Sequence, residues 1–135
     1  MSLVFDRERV GAWAAARIPY VDTWGAWYQA IGLERDGEIV AACVYTDQIG
    51  TGITMNVAID CGGKWMTREA LRAVFRYPFR QLGCRRVTAL IAAHNAASRR
   101  ITEKLGFRQE GVLRAAVPDD DLIVYGMLRE ECKLA

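Results

Sequence analysis

The chain has 135 residues, 52% of them hydrophobic and 25% charged. That mix excludes a mainly disordered chain and a disulfide miniprotein, and it predicts one domain able to bury its core without staples. The net charge of +2 hides three blocks: residues 1–60 carry four basic and eight acidic side chains, residues 61–117 twelve and three, and residues 118–135 two and five.

Phe5 to Ile18 reads as a helix, with Asp6 and Glu8 in its first turn and Pro19 after its end. Ala26–Glu34 and Glu38–Thr46 read as strands joined by the hairpin signal Asp36-Gly37. The second is apolar from Ile39 to Tyr45, which predicts a central strand. A turn at Gln48–Gly50 leads to a third strand, Thr51–Ile59. A glycine loop follows, then a long helix from Thr67 to Leu82 with Thr67 as N-cap and a bend at Pro78. Arg85–Ala92 reads as a buried strand, and Asn95–Leu105 as a helix closed by Gly106. Phe107–Ala116 and Leu122–Arg129 are two last strands around a turn at Pro118–Asp121. Tight connections followed by a strand–helix–strand crossover predict a mixed α/β (α+β) sheet of about six to seven strands, with helices on both faces.

No apolar run approaches the ~18 residues of a membrane span. Met1–Arg9 lacks the apolar stretch of a signal peptide, so a cytoplasmic location and no membrane partner are expected. Cys43, Cys61, Cys84 and Cys132 show no C-x-x-C spacing, and His94 is the single histidine. No metal site is therefore expected, and the cysteines read as reduced, mostly buried thiols.

The middle block is cationic and suits a polyanionic ligand. Within it Gly62-Gly63-Lys64-Trp65-Met66-Thr67 leaves a strand and enters a helix. Glycines let a backbone approach an anion, and the helix N-terminus favours negative charge. Arg68, Arg72, Arg76 and Arg80 recur every four residues, the spacing of one solvated helix stripe. No aromatic-rich RNA motif or DNA-reading motif accompanies them, so no nucleic-acid partner is expected.

The specific signal is Asn95-Ala96-Ala97-Ser98 followed by Glu103-Lys104-Leu105-Gly106-Phe107-Arg108-Gln109-Glu110-Gly111 and Arg114. This N-x-x-S … E-K-x-G-F-x-x-E-G-x-x-R pattern resembles the GNAT superfamily of acyl-CoA-dependent N-acetyltransferases, most of all the branch that acetylates ribosomal-protein N-termini. Asp121–Leu128 resembles that branch's last strand, and Arg68–Val74 its first cofactor helix. The resemblance covers roughly residues 38–130.

The resemblance implies acetyl transfer from acetyl-CoA to a primary amine of a protein, peptide or small molecule by direct attack, without metal. It places the pyrophosphate on Gly62, Gly63, Lys64, Trp65, Met66, Thr67 and Arg68, and the pantetheine arm along Val57, Ala58 and Ile59. Backbone N–H groups there would polarise the thioester carbonyl. Asn95 would bond the arm, Ser98 would protonate the departing thiolate, and Arg99, Arg100 or Lys104 would meet the phosphates. Glu110 or Asp121 would take the amine's proton, directly or through water. Plainer roles stand beside these: Glu110 as a strand-edge pair with Arg114, Asp121 as a turn residue, Ser98 bonded back to the main chain, Asn95 as an N-cap. Trp24, Trp27 and Tyr125 are candidates to line the acceptor site. His94 reads as a strand-end residue. The family's usual first strand is not evident, which leaves the acceptor site open or completed by a second subunit of a homodimer.

One departure stands out. The family's phosphate loop reads Q/R-x-x-G-x-G/A, whereas this chain has Asp60-Cys61-Gly62-Gly63-Lys64-Trp65. An acid replaces the first residue and an indole the last glycine. Either Lys64 and Arg68 compensate, or the domain is a binding or assembly module with weak or no CoA binding.

Overall fold

The computed structural model describes residues 1–60, 64 and 66–135. Their strands form one seven-stranded mixed sheet in the order β1-β2-β3-β4-β5-β7-β6. These are β1 (Ser2–Val4), β2 (Gln29–Arg35), β3 (Glu38–Ile49), β4 (Gly52–Ile59), β5 (Arg86–Ala92), β6 (Arg108–Val117) and β7 (Asp120–Leu128). All neighbours are antiparallel except β4 and β5, which run parallel. The expected mixed α/β architecture is present.

β1 is the strand that the sequence does not announce. Three residues ending at the cap of a helix carry no periodicity, and only pairing of Ser2–Val4 with Gly32–Glu34 makes them a strand. Helix α1 (Arg7–Ala15) is shorter than expected at both ends. Asp6 lies outside it as N-cap, its carboxylate accepting from the Arg9 N–H at 3.2 Å. Val10 and Ala14 press α1 onto Ala30, Ala42, Val44 and Ala58 on one face of the sheet. Gly32 permits this approach, because a Cβ there would stand 2.8 Å from a Val10 methyl.

The other face holds the larger core: Ile31, Cys43, Tyr45, Ile53, Val87 and Met127 against Val74, Phe75 and Phe79. Helix α2 spans Arg68–Arg76, with Thr67 accepting from the Ala70 N–H as the expected cap. The expected bend at Pro78 takes a definite form, a π-helical turn over Tyr77–Gln81. Proline offers no N–H to the carbonyl four residues back, Val74. The Tyr45 hydroxyl of β3 fills that place, donating to Val74 O at 2.6 Å in a fully buried position. Burial, reinforced by neighbouring Cys43, holds that hydroxyl well above its ordinary pKa.

Burial also pushes the Cys43 thiol up to about 12. Cys43, Cys84 and Cys132 are free thiols, the first two buried, while Cys61 lies outside the described residues. Helix α3 (Ala96–Lys104) joins α2 on the same face and ends at Gly106, whose φ of 108° suits glycine. No helix among the described residues is long and apolar enough to cross a membrane.

Candidate active site

The site begins with hydrogen bonds that stop. β4 stays paired with β3 as far as Ile59 opposite Ala41. With β5 it pairs only from Gly52–Arg86 to Met55–Ala89. Beyond Met55 the two parallel strands separate, and the β5-facing backbone groups of Val57 and Ile59 have no strand partner. A cleft of about 770 Å³ opens there, lined by those residues, by Leu90–Ala92, and by Asn95, Ser98 and Thr102 of the α3 end of the fold. Unpaired backbone in a partly enclosed cleft needs a partner. An extended amide-bearing chain supplies one, which is the form of a pantetheine arm.

α3 points its first turns into this cleft. Asn95 lines the cleft and is also the N-cap, its side-chain oxygen accepting from the Ser98 N–H at 3.1 Å. The hydroxyl that turns back onto the helix belongs to Thr102, which donates to Ser98 O at 2.8 Å. Ser98 itself lines the cleft one turn beyond Asn95.

The expected site residues Arg99, Tyr125, Glu110 and Asp121 lie elsewhere. Arg99 reaches the sheet rather than the cleft, donating to the Tyr125 hydroxyl at 3.1 Å and to Ala93 O at 3.3 Å. Tyr125 is fully buried under α3 and donates in turn to Glu103 at 2.7 Å, so it lines no acceptor site. Burial raises its hydroxyl pKa, a shift that the Arg99 hydrogen bond opposes. Glu110 sits on the α1 side of the sheet over Gly126, paired with Arg86 at 2.7 Å rather than with Arg114. The missing side chain of Gly126 makes room for that pair. Asp121 accepts from the Ala115 N–H at 2.7 Å and holds the irregularity before the β6–β7 turn, where Ala115 has φ 53°. Neither carboxylate lines the cleft.

At the far end of β4, Asp60 accepts from Arg17 Nε at 2.8 Å. The guanidinium lies 3.9 Å from the centre of the Trp13 ring and also donates to Trp13 O. Both partners line the cleft. The acid that breaks the phosphate-loop pattern is thus neutralised from the end of α1, by a residue no local motif contains. Lys64 and Arg68 are exposed beside Met66 and Thr67 at the start of α2. Gly62, Gly63 and Trp65 lie outside the described residues.

His94 has a larger place than a strand end. It lines the cleft, and its Nδ1 stands 2.5 Å from Asp120 Oδ2, which also accepts from the His94 N–H at 3.0 Å. The backbone N–H first, and then the imidazole, hold the Asp120 carboxyl below its ordinary value. The sequence carries no signal for this pair, because α3 and β6 separate the partners. Trp24 and Trp27 lie together in a second hollow of about 440 Å³ at the β3–β4 hairpin end. Among the described residues no group of three or more His, Cys, Asp or Glu side chains could hold a metal.

The family described as acetyltransferase (GNAT) domain matches residues 4–108. An uncharacterized N-acetyltransferase, YokL, of the Bacillus subtilis SPbeta prophage is 33% identical over 115 residues, covering 79% of this chain and 65% of its own. The chain therefore spans less than two thirds of that relative's length. Ribosomal-protein-S5-alanine acetyltransferase from Vibrio fischeri shares the fold, with a TM-score of 0.65 at 18% identity over 78% of this chain and 63% of its own. The N152L mutant of spermidine N-acetyltransferase SpeG from Vibrio cholerae superposes with a TM-score of 0.75 at 12% identity, covering 96% and 94%. With the matched domain spanning β1 to the start of β6, the splayed β4–β5 pair inside it, the chain belongs to the GNAT acetyltransferase family.

Proposed function

We propose that the domain transfers an acetyl group from acetyl-CoA to a primary amine by direct attack. The observation that carries this is the end of the β4–β5 ladder at Met55–Ala89, with Asn95 and Ser98 facing the cleft it opens. The donor fits that opening, since a chain of amides can pair with the backbone of Val57 to Ile59. When bound, acetyl-CoA supplies the activated acyl group.

The chain's own residues do the rest. Backbone N–H groups along Val57–Ile59 stabilise the oxyanion, a contribution worth about 3 kcal/mol per donor in other acyl-transfer sites. Asn95 orients the arm, and Ser98 donates a proton to the leaving sulfur. Arg17 cancels the Asp60 charge, while Lys64, Arg68 and the α2 N-terminus meet the phosphates. His94, held through Nδ1 by Asp120, takes the amine's proton through water, in place of Glu110 and Asp121.

A thermal-shift titration with acetyl-CoA, with adenosine bisphosphate and salt controls, tests the reading. A ligand at ~100 times its dissociation constant stabilises by about 2.7 kcal/mol. A saturable shift is expected. Its absence at millimolar cofactor would favour the binding or assembly module.

A further inference from the structure

The second hollow has a composition that the acetyl-transfer chemistry does not require. It is lined by Trp24, Gly25, Ala26, Trp27, Asp47 and Gln48. Trp24 is fixed there, its Nε1 donating to Gly11 O at 2.7 Å, and Trp27 is 41% exposed. Asp47 is exposed at φ 52°, a backbone shape that aspartate tolerates, and no cation among the described residues pairs with it. Two indoles beside a carboxylate attract a cation by ring quadrupole and by charge.

Position links this hollow to the cleft. Val44 of β3 pairs with Asn56, where the cleft begins, and Asp47 stands three residues farther along the chain. At the strand rise that is about 10 Å. Between them, on the α1 side, Asn56 donates to Thr46 Oγ1 at 3.0 Å and to Val44 O at 3.1 Å, a polar path from hollow to cleft.

We infer that Trp24, Trp27 and Asp47 form a cation subsite, and that the acceptor is an amine carrying a second cationic group about 10 Å from the nitrogen that reacts. The reacting nitrogen must be unprotonated to attack, so it is not the ammonium that the subsite holds. A diamine satisfies both demands, with one nitrogen charged between the indoles and the other neutral in the cleft. This inference rests on the acetyl-transfer reading for its substrate, but the subsite binds cations whether or not transfer occurs.

Two readouts separate these. Tetramethylammonium is titrated into the protein while the Trp24 and Trp27 indole N–H resonances are followed. Both should move saturably in the wild type and stay still in Asp47→Asn, whose backbone shape asparagine also accepts. With acetyl-CoA, diaminohexane should exceed hexylamine about tenfold in kcat/KM, the factor that corresponds to roughly 1.4 kcal/mol of cation binding. That ratio should collapse toward one in Asp47→Asn and in Trp27→Ala, with the loss in KM. Silent indole resonances, or a diamine preference unchanged in both variants, overturn the subsite. Moving resonances without acetylation of either amine would keep the subsite and sink the transfer.

Discussion

The β4–β5 cleft and the tryptophan hollow lie at opposite reaches of β4, and they offer a ligand different means of recognition. The cleft is a backbone site, created where the β4–β5 ladder stops after Met55–Ala89. Side chains there, Asn95 and Ser98, refine what unpaired main-chain groups already offer. The hollow is a side-chain site, two indoles on the segment before β2 and a carboxylate near the end of β3. Backbone recognition tolerates sequence change as long as the strands splay. Side-chain recognition is lost with one substitution, and so it is where specificity can vary within a shared fold.

That contrast can be broken at several points. The largest effect should come from Ser98→Ala, which lowers kcat about a hundredfold, the low end for a general acid, while acetyl-CoA affinity stays near wild type. Steady-state kinetics with a direct binding measurement checks this, and an unchanged kcat would remove Ser98 as the acid. Next is Tyr45→Phe, which strands the Val74 carbonyl that Pro78 cannot serve. It should cost about 2 kcal/mol in denaturant unfolding. Pro78→Ala in the same chain returns an N–H to that carbonyl and should recover part of the loss.

Arg17→Ala sharpens the comparison from the cleft's charged end. It uncovers Asp60 and should weaken acetyl-CoA about tenfold by calorimetry, with Asp60→Asn restoring affinity in the double variant. A tenfold loss that the second change does not repair would assign Arg17 a direct contact instead. The smallest effect concerns pH. Asp120 has a lowered carboxyl pKa in the folded state, so its stabilisation is present above the ordinary value of 3.8 and is lost as pH falls below it. Melting curves across that range should show a weaker acid dependence in Asp120→Asn than in the wild type.

Much of the cleft was legible in the chain. Asn95 and Ser98 stand one helical turn apart on a helix whose cap, start and glycine stop are all local signals. The crossover from β4 through α2 to β5 also follows from local patterns. The positions of the carboxylates expected as bases were not legible. Glu110 and Asp121 were plausible by position, but Gly126 draws Glu110 over the sheet to Arg86, and the irregular end of β6 engages Asp121. Tyr125 faces α3 because alternation along β7 puts it on the core side, beside Arg99 and Glu103.

By itself the sequence determined the elements other than β1 and their order, because each is set by signals within a turn or a strand length. Only the tertiary structure decided which partners meet across distance. It brought Arg17 to Asp60 and His94 to Asp120, and it set Asp47 beside Trp24 and Trp27. It also decided that Ser2–Val4 is a strand, since a sheet edge was there to receive it. Side-chain charge and backbone pairing act through space over a few ångströms, and a chain reveals that proximity only once it is folded.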